Sequence, residues 1–160
     1  MIVQNQSTTP MQTPWRAQAE AFTWERSWDL ALASAPRALV AEDDPEMRAL
    51  ICAVVRRDGY VVLEAKNGAE FARLVRSEVI RPRLGLPVDI IITDMVMPAR
   101  SGLDVVAWLR LHDFITPVVL VTAFGSDEVH EEARRLGAAV LDKPFELDEL
   151  RRVVRNLEHR

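Results

Sequence analysis

Residues 89–94 read Asp-Ile-Ile-Ile-Thr-Asp (DIIITD), three consecutive isoleucines closed at both ends by an acid. A run this short is too brief for a core helix, and its lack of alternation suits a strand covered on both faces, as in a parallel sheet flanked by helices. Outward from it the same pattern recurs. ALVA (38–41), YVVLEA (60–65), PVVLVTA (117–123) and AAVLD (138–142) are equally short apolar runs. Between them lie segments of helical periodicity: Pro45 to about Arg57 before Gly59, Gly68 to about Val79 after the Asn67-Gly68 turn, Gly102 to Leu111, Ser126 to Leu136, and Glu146 to Glu158. Five strand-helix units in strict alternation predict an α/β fold, a five-stranded parallel sheet wound on both sides by helices.

Composition narrows the class further. The 160 residues are 49% hydrophobic and 28% charged, which fits a globular domain and excludes wholesale disorder. No apolar run approaches the roughly 18 residues of a membrane-crossing helix, and no secretory signal is legible, so a cytoplasmic protein with no membrane contact is expected. The single cysteine, Cys52, stands among Leu50, Ile51, Val54 and Val55 and reads as a small core residue. A net charge of −4 argues against nonspecific nucleic-acid binding.

In doubly wound sheets ligands bind at the carboxyl ends of the strands. The residues arriving there are Glu42, Asp43 and Asp44 after the first strand, Asp94 after the third, Thr122 after the fourth, and Asp142 and Lys143, followed by Pro144, after the fifth. Carboxylates gathered from two strands repel unless a cation neutralises them, and a hard divalent ion such as Mg²⁺ suits oxygen donors. Asp44 directly precedes Pro45 and reads as a helix N-cap, which leaves Glu42 and Asp43 as the metal pair with Asp94. Lys143 supplies a point charge for a phosphate, and Thr122 a hydroxyl donor.

LVAEDDPEMR (39–48), IIITDMVMPARSGLD (90–104), VVLVTAFG (118–125) and LDKPF (141–145) together resemble, in order, the motifs of the receiver domain of two-component response regulators. The resemblance covers about residues 37–158 and implies a flavodoxin-like (βα)5 fold. It implies that Asp94 is the phosphoacceptor, that Asp43 ligates Mg²⁺, that Glu42 acts through a metal-bound water, and that the backbone carbonyl of Val96 completes the protein's share of the metal shell. Thr122 and Lys143 would meet the phosphoryl oxygens, the Lys143-Pro144 bond would be cis, and Gly102 matches the glycine that opens the third helix. The implied phosphodonor is a histidine kinase or a histidine phosphotransfer protein. Val96 and Phe124 fall at the positions flanking the attacking water; neither orients water, so slow dephosphorylation is expected.

Three features depart from the family pattern. Val140 stands where a Tyr or Phe usually serves as the switch aromatic, the stretch between Gly137 and Lys143 is about one residue short, and the loop from Arg81 to Pro87 is long.

Residues 1–36 read as an extension, with a helix expected over 14–35 and the receiver domain over 37–160. Ala17, Ala21, Trp24, Trp28, Ala31 and Ala35 share one helical stripe. It would pack on its own domain, form a homodimer, or dock a kinase or output partner. The last helix runs from acids (Glu146, Asp148, Glu149) to bases (Arg151, Arg152, Arg155), which complements the helix dipole without invoking DNA.

The reading is a stand-alone receiver, a phosphoacceptor and not an enzyme, that signals to a downstream protein not named by the sequence, with no direct DNA binding. Its rival is a phosphorylation-independent interaction module acting through the tryptophan helix. An aspartyl-phosphate hydrolase ranks last, because Val96 stands where a second aspartate would serve as general acid.

Overall fold

The chain divides into a unit spanning Met1–Ser34 and one spanning Ala35–Arg160. The computed structural model describes residues 35–80, 87–123 and 125–158; all but Ala35 of the expected helix over 14–35, all but Pro87 of the loop from Arg81 to Pro87, and Phe124 lie outside them. The order of elements is β1 (Arg37–Ala41), α1 (Pro45–Arg57), β2 (Val61–Ala65), α2 (Gly68–Leu74), β3 (Ile90–Asp94), α3 (Gly102–Leu111), β4 (Val118–Thr122), α4 (Asp127–Arg135), β5 (Ala139–Asp142) and α5 (Leu147–Glu158). After Leu74 the second helix widens into a π-helical stretch, Val75–Ile80, where the periodicity predicts α-helix to about Val79. In that stretch Glu78 turns toward the sheet and pairs with Arg37 of β1 at 3.0 Å.

All strand pairings are parallel, in the order β2-β1-β3-β4-β5. Every residue of β1, β3 and β4 is buried, whereas β2 and β5, at the edges, are partly exposed. The strands' two-residue period divides the core into two layers. Ala38, Val40, Ile90, Ile92, Val119 and Val121 face Ile51, Cys52 and Val55 of α1 and Leu150 and Val154 of α5. Leu39, Ile91, Val118 and Leu120 face Phe71 of α2, Val105, Val106 and Leu109 of α3, and Ala133 of α4. The apolar runs are therefore unalternating because both faces of each central strand are covered.

Helix starts follow local chemistry. Asp44, Asn67, Ser101 and Ser126 each accept a backbone N–H from the first turn of α1, α2, α3 and α4. At α2 the cap is reciprocal: Asn67 takes the N–H of Glu70, while the Glu70 carboxylate takes that of Lys66. Gly59, at φ +97°, adopts a left-handed turn that carries the chain from α1 into β2. These short connections bring the carboxyl ends of β1, β3, β4 and β5 to one edge.

Candidate functional site

Three carboxylates meet at that edge. Glu42 and Asp43 follow β1 and Asp94 ends β3, and one oxygen from each lies within 4.8 Å of the other two. Their exposure differs sharply. Glu42 is buried at 1% and Asp94 at 8%, while Asp43 is exposed.

Local contacts shape the β1–α1 turn. Arg48, one turn into α1, donates from Nη1 to the carbonyl of Glu42 at 2.8 Å and to that of Asp43 at 3.4 Å. The Asp44 side chain is turned to its capping bond with Met47 N–H at 2.7 Å, which removes it from the cluster. Asp44 N–H reaches Glu42 Oε1 at 3.3 Å.

Lys143 enters from the far side of the sheet. Its Nζ donates to Glu42 Oε2 at 2.8 Å and lies 3.5 Å from Asp94 Oδ2. Burial raises the Glu42 pKa above its usual range and the Asp94 charge adds to this, against the opposing hydrogen bond from Lys143. For Lys143, burial disfavours the ammonium, but the hydrogen bond to Glu42 and the charges of Glu42 and Asp94 outweigh it, and its pKa is raised. Lys143 thus stays charged in the pocket. Its peptide bond to Pro144 is cis. Its N–H donates to the Thr122 carbonyl at 2.7 Å, which ties the ends of β4 and β5 together, and Thr122 itself is buried.

The β3–α3 connection closes the edge. Met95 N–H bonds the carbonyl of Val121 at 2.8 Å, and Gly102 N–H that of Met95 at 3.0 Å. A side-chain carbon on Gly102 would stand 2.3 Å from the Asp94 carbonyl, so only glycine lets α3 start this close to the acid. Val96 is 58% exposed, and its N–H faces Asp94 Oδ1 at 3.5 Å.

The donor set fits a hard divalent cation. It holds only carboxylate oxygens, from two separate strands, and one of them, Glu42, is buried so deeply that its charge needs a counterion. Lys143 meets part of that need and leaves the outer face of Asp43 open to solvent.

The strand-end residues singled out in the sequence thus divide as follows. Glu42, Asp43, Asp94 and Lys143 converge, and Thr122 is joined to Lys143 through the backbone. Val140 lies in β5 opposite Leu120 and packs into the layer formed by α2, α3 and α4. Phe124 is outside the described residues. Two contacts have no sequence signal: Arg48 bracing the carbonyls of Glu42 and Asp43, and a hydrogen bond between His130 of α4 and Asp142 at the end of β5. Both depend on how a helix face is set against a strand end.

Comparison with known proteins follows the same lines. Residues 38–155 match the family described as the response regulator receiver domain. Among curated proteins, the chain is 30% identical over 118 residues to sporulation initiation phosphotransferase F of Bacillus subtilis, covering 73% of this chain and 89% of that protein. It is 36% identical over 116 residues to the transcriptional regulatory protein PdtaR of Mycobacterium tuberculosis, covering 71% of this chain and 52% of that one. Against PilR of Pseudomonas aeruginosa, at 34% identity, the aligned region is 26% of the relative's length. Among solved structures, the receiver domain of Francisella response regulator 1452 superposes with a TM-score of 0.68 at 30% identity, covering 78% of this chain and 97% of that one. TrrA of Thermotoga maritima, solved in complex with Mg²⁺ and BeF, gives 0.64 at 28% identity, covering 76% and 98%. The chain belongs to the receiver domain family of two-component response regulators.

Proposed function

We propose, from that membership, that this chain accepts a phosphoryl group on Asp94 from a phosphohistidine of a kinase or phosphotransfer protein and signals through altered protein contacts. The observation that carries the reading is the convergence of Glu42, Asp43 and Asp94 with the Lys143 ammonium at one edge of the sheet. A lone carboxylate is a poor phosphoryl acceptor beside two others. Held between a lysine and a divalent ion, it can approach an anionic donor.

Asp43 and Asp94 would hold Mg²⁺ directly, with the carbonyl of Val96, while both oxygens of Glu42 are engaged by Lys143 and Asp44 N–H. Glu42 then acts through a water. When bound, Mg²⁺ would supply positive charge to the transferring group; TrrA, of the same fold, was solved in complex with Mg²⁺ and BeF. One oxygen of Asp94 attacks phosphorus, the bond from phosphorus to the donor's imidazole nitrogen breaks, and the imidazole leaves with the electron pair. Lys143 and the Thr122 hydroxyl receive the phosphoryl oxygens on Asp94. Hydrolysis is slow, because Val96 offers a solvent-facing isopropyl group and no proton acceptor to the incoming water.

In this reading the chain is a phosphoacceptor and not an enzyme, in the cytoplasm. No helix among the described residues is long and apolar enough to cross a membrane. The extension over residues 1–36 contributes a tryptophan-bearing helix that contacts a partner protein or a second copy.

Val140 favours a second reading. Partly buried on the edge strand β5, it offers no ring to swing between an exposed and an inward position, so partner contact through the extension would be independent of phosphorylation.

The test is intact-protein mass after incubation with Mg²⁺ and acetyl phosphate, beside Asp94→Asn. A gain of one phosphoryl group in the wild type alone supports the phosphoacceptor. No gain, together with no Mg²⁺ binding, supports the interaction module.

A further inference from the structure

His130, in the second turn of α4, places Nε2 3.1 Å from Asp142 Oδ1 at the end of β5. A carboxylate only accepts, so Nε2 carries the hydrogen and donates. Both side chains are more than one-third exposed, at 38% and 55%, so the pair adds little to global stability. Its position is more informative than its strength. Asp142 is the residue before Lys143 and the register partner of Thr122, and Lys143 N–H is bonded to the Thr122 carbonyl. Gly125 then lies directly against the pair: a side-chain carbon there would stand 2.0 Å from Asp142 Oδ1 and 2.6 Å from His130 Nε2. Asp142 at the end of β5, His130 in the second turn of α4 and Gly125 thus close on one point.

We propose that His130 and Asp142 are positioning residues for phosphoryl transfer: their hydrogen bond, closed over Gly125, holds α4 to the end of β5 and so fixes Thr122 and Lys143 where the phosphoryl oxygens arrive. The inference rests on the phosphoacceptor reading above. It gives the β5 edge a polar tie to α4 in a chain whose residue 140 is a partly buried aliphatic. With the pair broken, α4 keeps its apolar packing through Ala133 but loses its polar tie to the end of β5.

Gly125 supplies a clean test. No left-handed φ ties it to glycine, and the nearest atoms its methyl would meet are the ends of two flexible side chains. Gly125→Ala therefore folds while prising the pair apart. It is compared, in the full chain, with His130→Ala, Asp142→Ala, and the conservative His130→Gln and Asp142→Asn, which keep a donor and an acceptor. The readouts are Asp94 phosphorylation by acetyl phosphate, Mg²⁺ affinity, and amide hydrogen exchange over residues 126–133.

Gly125→Ala and the two alanine variants should slow phosphorylation by roughly fivefold, the order expected of a small misplacement of positioned groups. They should also speed exchange in the first turns of α4. Mg²⁺ affinity should hold, because its ligands lie on β1 and β3. The Gln and Asn variants should restore the wild-type rate, and the double alanine variant should be no worse than either single one, since one interaction is lost. Wild-type rates and exchange in Gly125→Ala and both alanine variants would overturn the proposal, as would equal impairment in the Gln and Asn variants. If the wild type itself takes up no phosphoryl group, the phosphoacceptor reading fails. The exchange comparison then decides by itself whether the pair holds α4.

Discussion

The ammonium of Lys143 donates a 2.8 Å hydrogen bond to the buried Oε2 of Glu42 across 101 residues of sequence. Each side chain answers a cost in the other. Glu42, 1% exposed, is ionised at greater cost without it, and Lys143 is held charged by the same contact.

Lys143→Ala should therefore destabilise the fold by about 2 kcal/mol at neutral pH, somewhat below the range for breaking a fully buried pair because Lys143 is partly exposed. The sign with pH is fixed by Glu42. Its pKa is already raised by burial and rises further without Lys143, so acid protonates it and removes the unpaired charge. The deficit against wild type should shrink as pH falls from neutral through the raised Glu42 value. Urea midpoints at several pH values measure this, and a pH-independent deficit would contradict it.

Mg²⁺ should stabilise the folded chain, since the cluster of Glu42, Asp43 and Asp94 exists only when folded. At ten times its Kd the gain is about 1.4 kcal/mol by mass action. Asp43→Asn should abolish most of that gain while leaving metal-free stability nearly unchanged, as Asp43 is exposed. Thermal melts with and without Mg²⁺ read both effects.

Gly102→Ala should cost about 2 kcal/mol, because the added methyl would press on the Asp94 backbone carbonyl and the Thr93 side chain, not on a flexible tip. Asp94 would be shifted by the same clash. A variant that melts early and also phosphorylates slowly at low temperature fits this account, while normal melting would refute it.

Val96→Asn should shorten the lifetime of the aspartyl phosphate about tenfold, by placing a group able to orient water where an exposed isopropyl now stands. The fold should tolerate it, since Val96 is 58% exposed. Loss of phosphoprotein mass over time, after the donor is removed, gives the rate.

Cys52 should resist thiol reagents at pH 8 until the chain is unfolded. It is fully buried and its pKa is pushed up to about 11, chiefly by burial and secondarily by the Glu64 charge. The folded thiol holds its proton after the unfolded one has lost it, so stability should decline as pH rises past the ordinary thiol range. A reagent that labels the native protein within minutes would argue against a closed layer between β1 and α1.

Much of this molecule follows from local rules. Apolar runs such as 89–94 have no polar side to present to solvent, so they specify strands covered on both faces, and strict alternation with helical segments specifies parallel order. Parallel order alone sends Glu42, Asp94, Thr122 and Lys143 to one edge, which is why the candidate site is legible before any coordinates. The caps at Asp44, Asn67, Ser101 and Ser126 are legible for the same reason: they involve residues within one turn of each other. The tertiary structure decided the rest. Which oxygen of Glu42 meets Lys143, how deeply Glu42 is buried, that Arg48 braces the β1–α1 turn, and that His130 reaches Asp142 over Gly125 all depend on the setting of helices against strand ends. Such settings arise from side-chain packing summed over two core layers, a property of distances between elements and not of spacing along the chain.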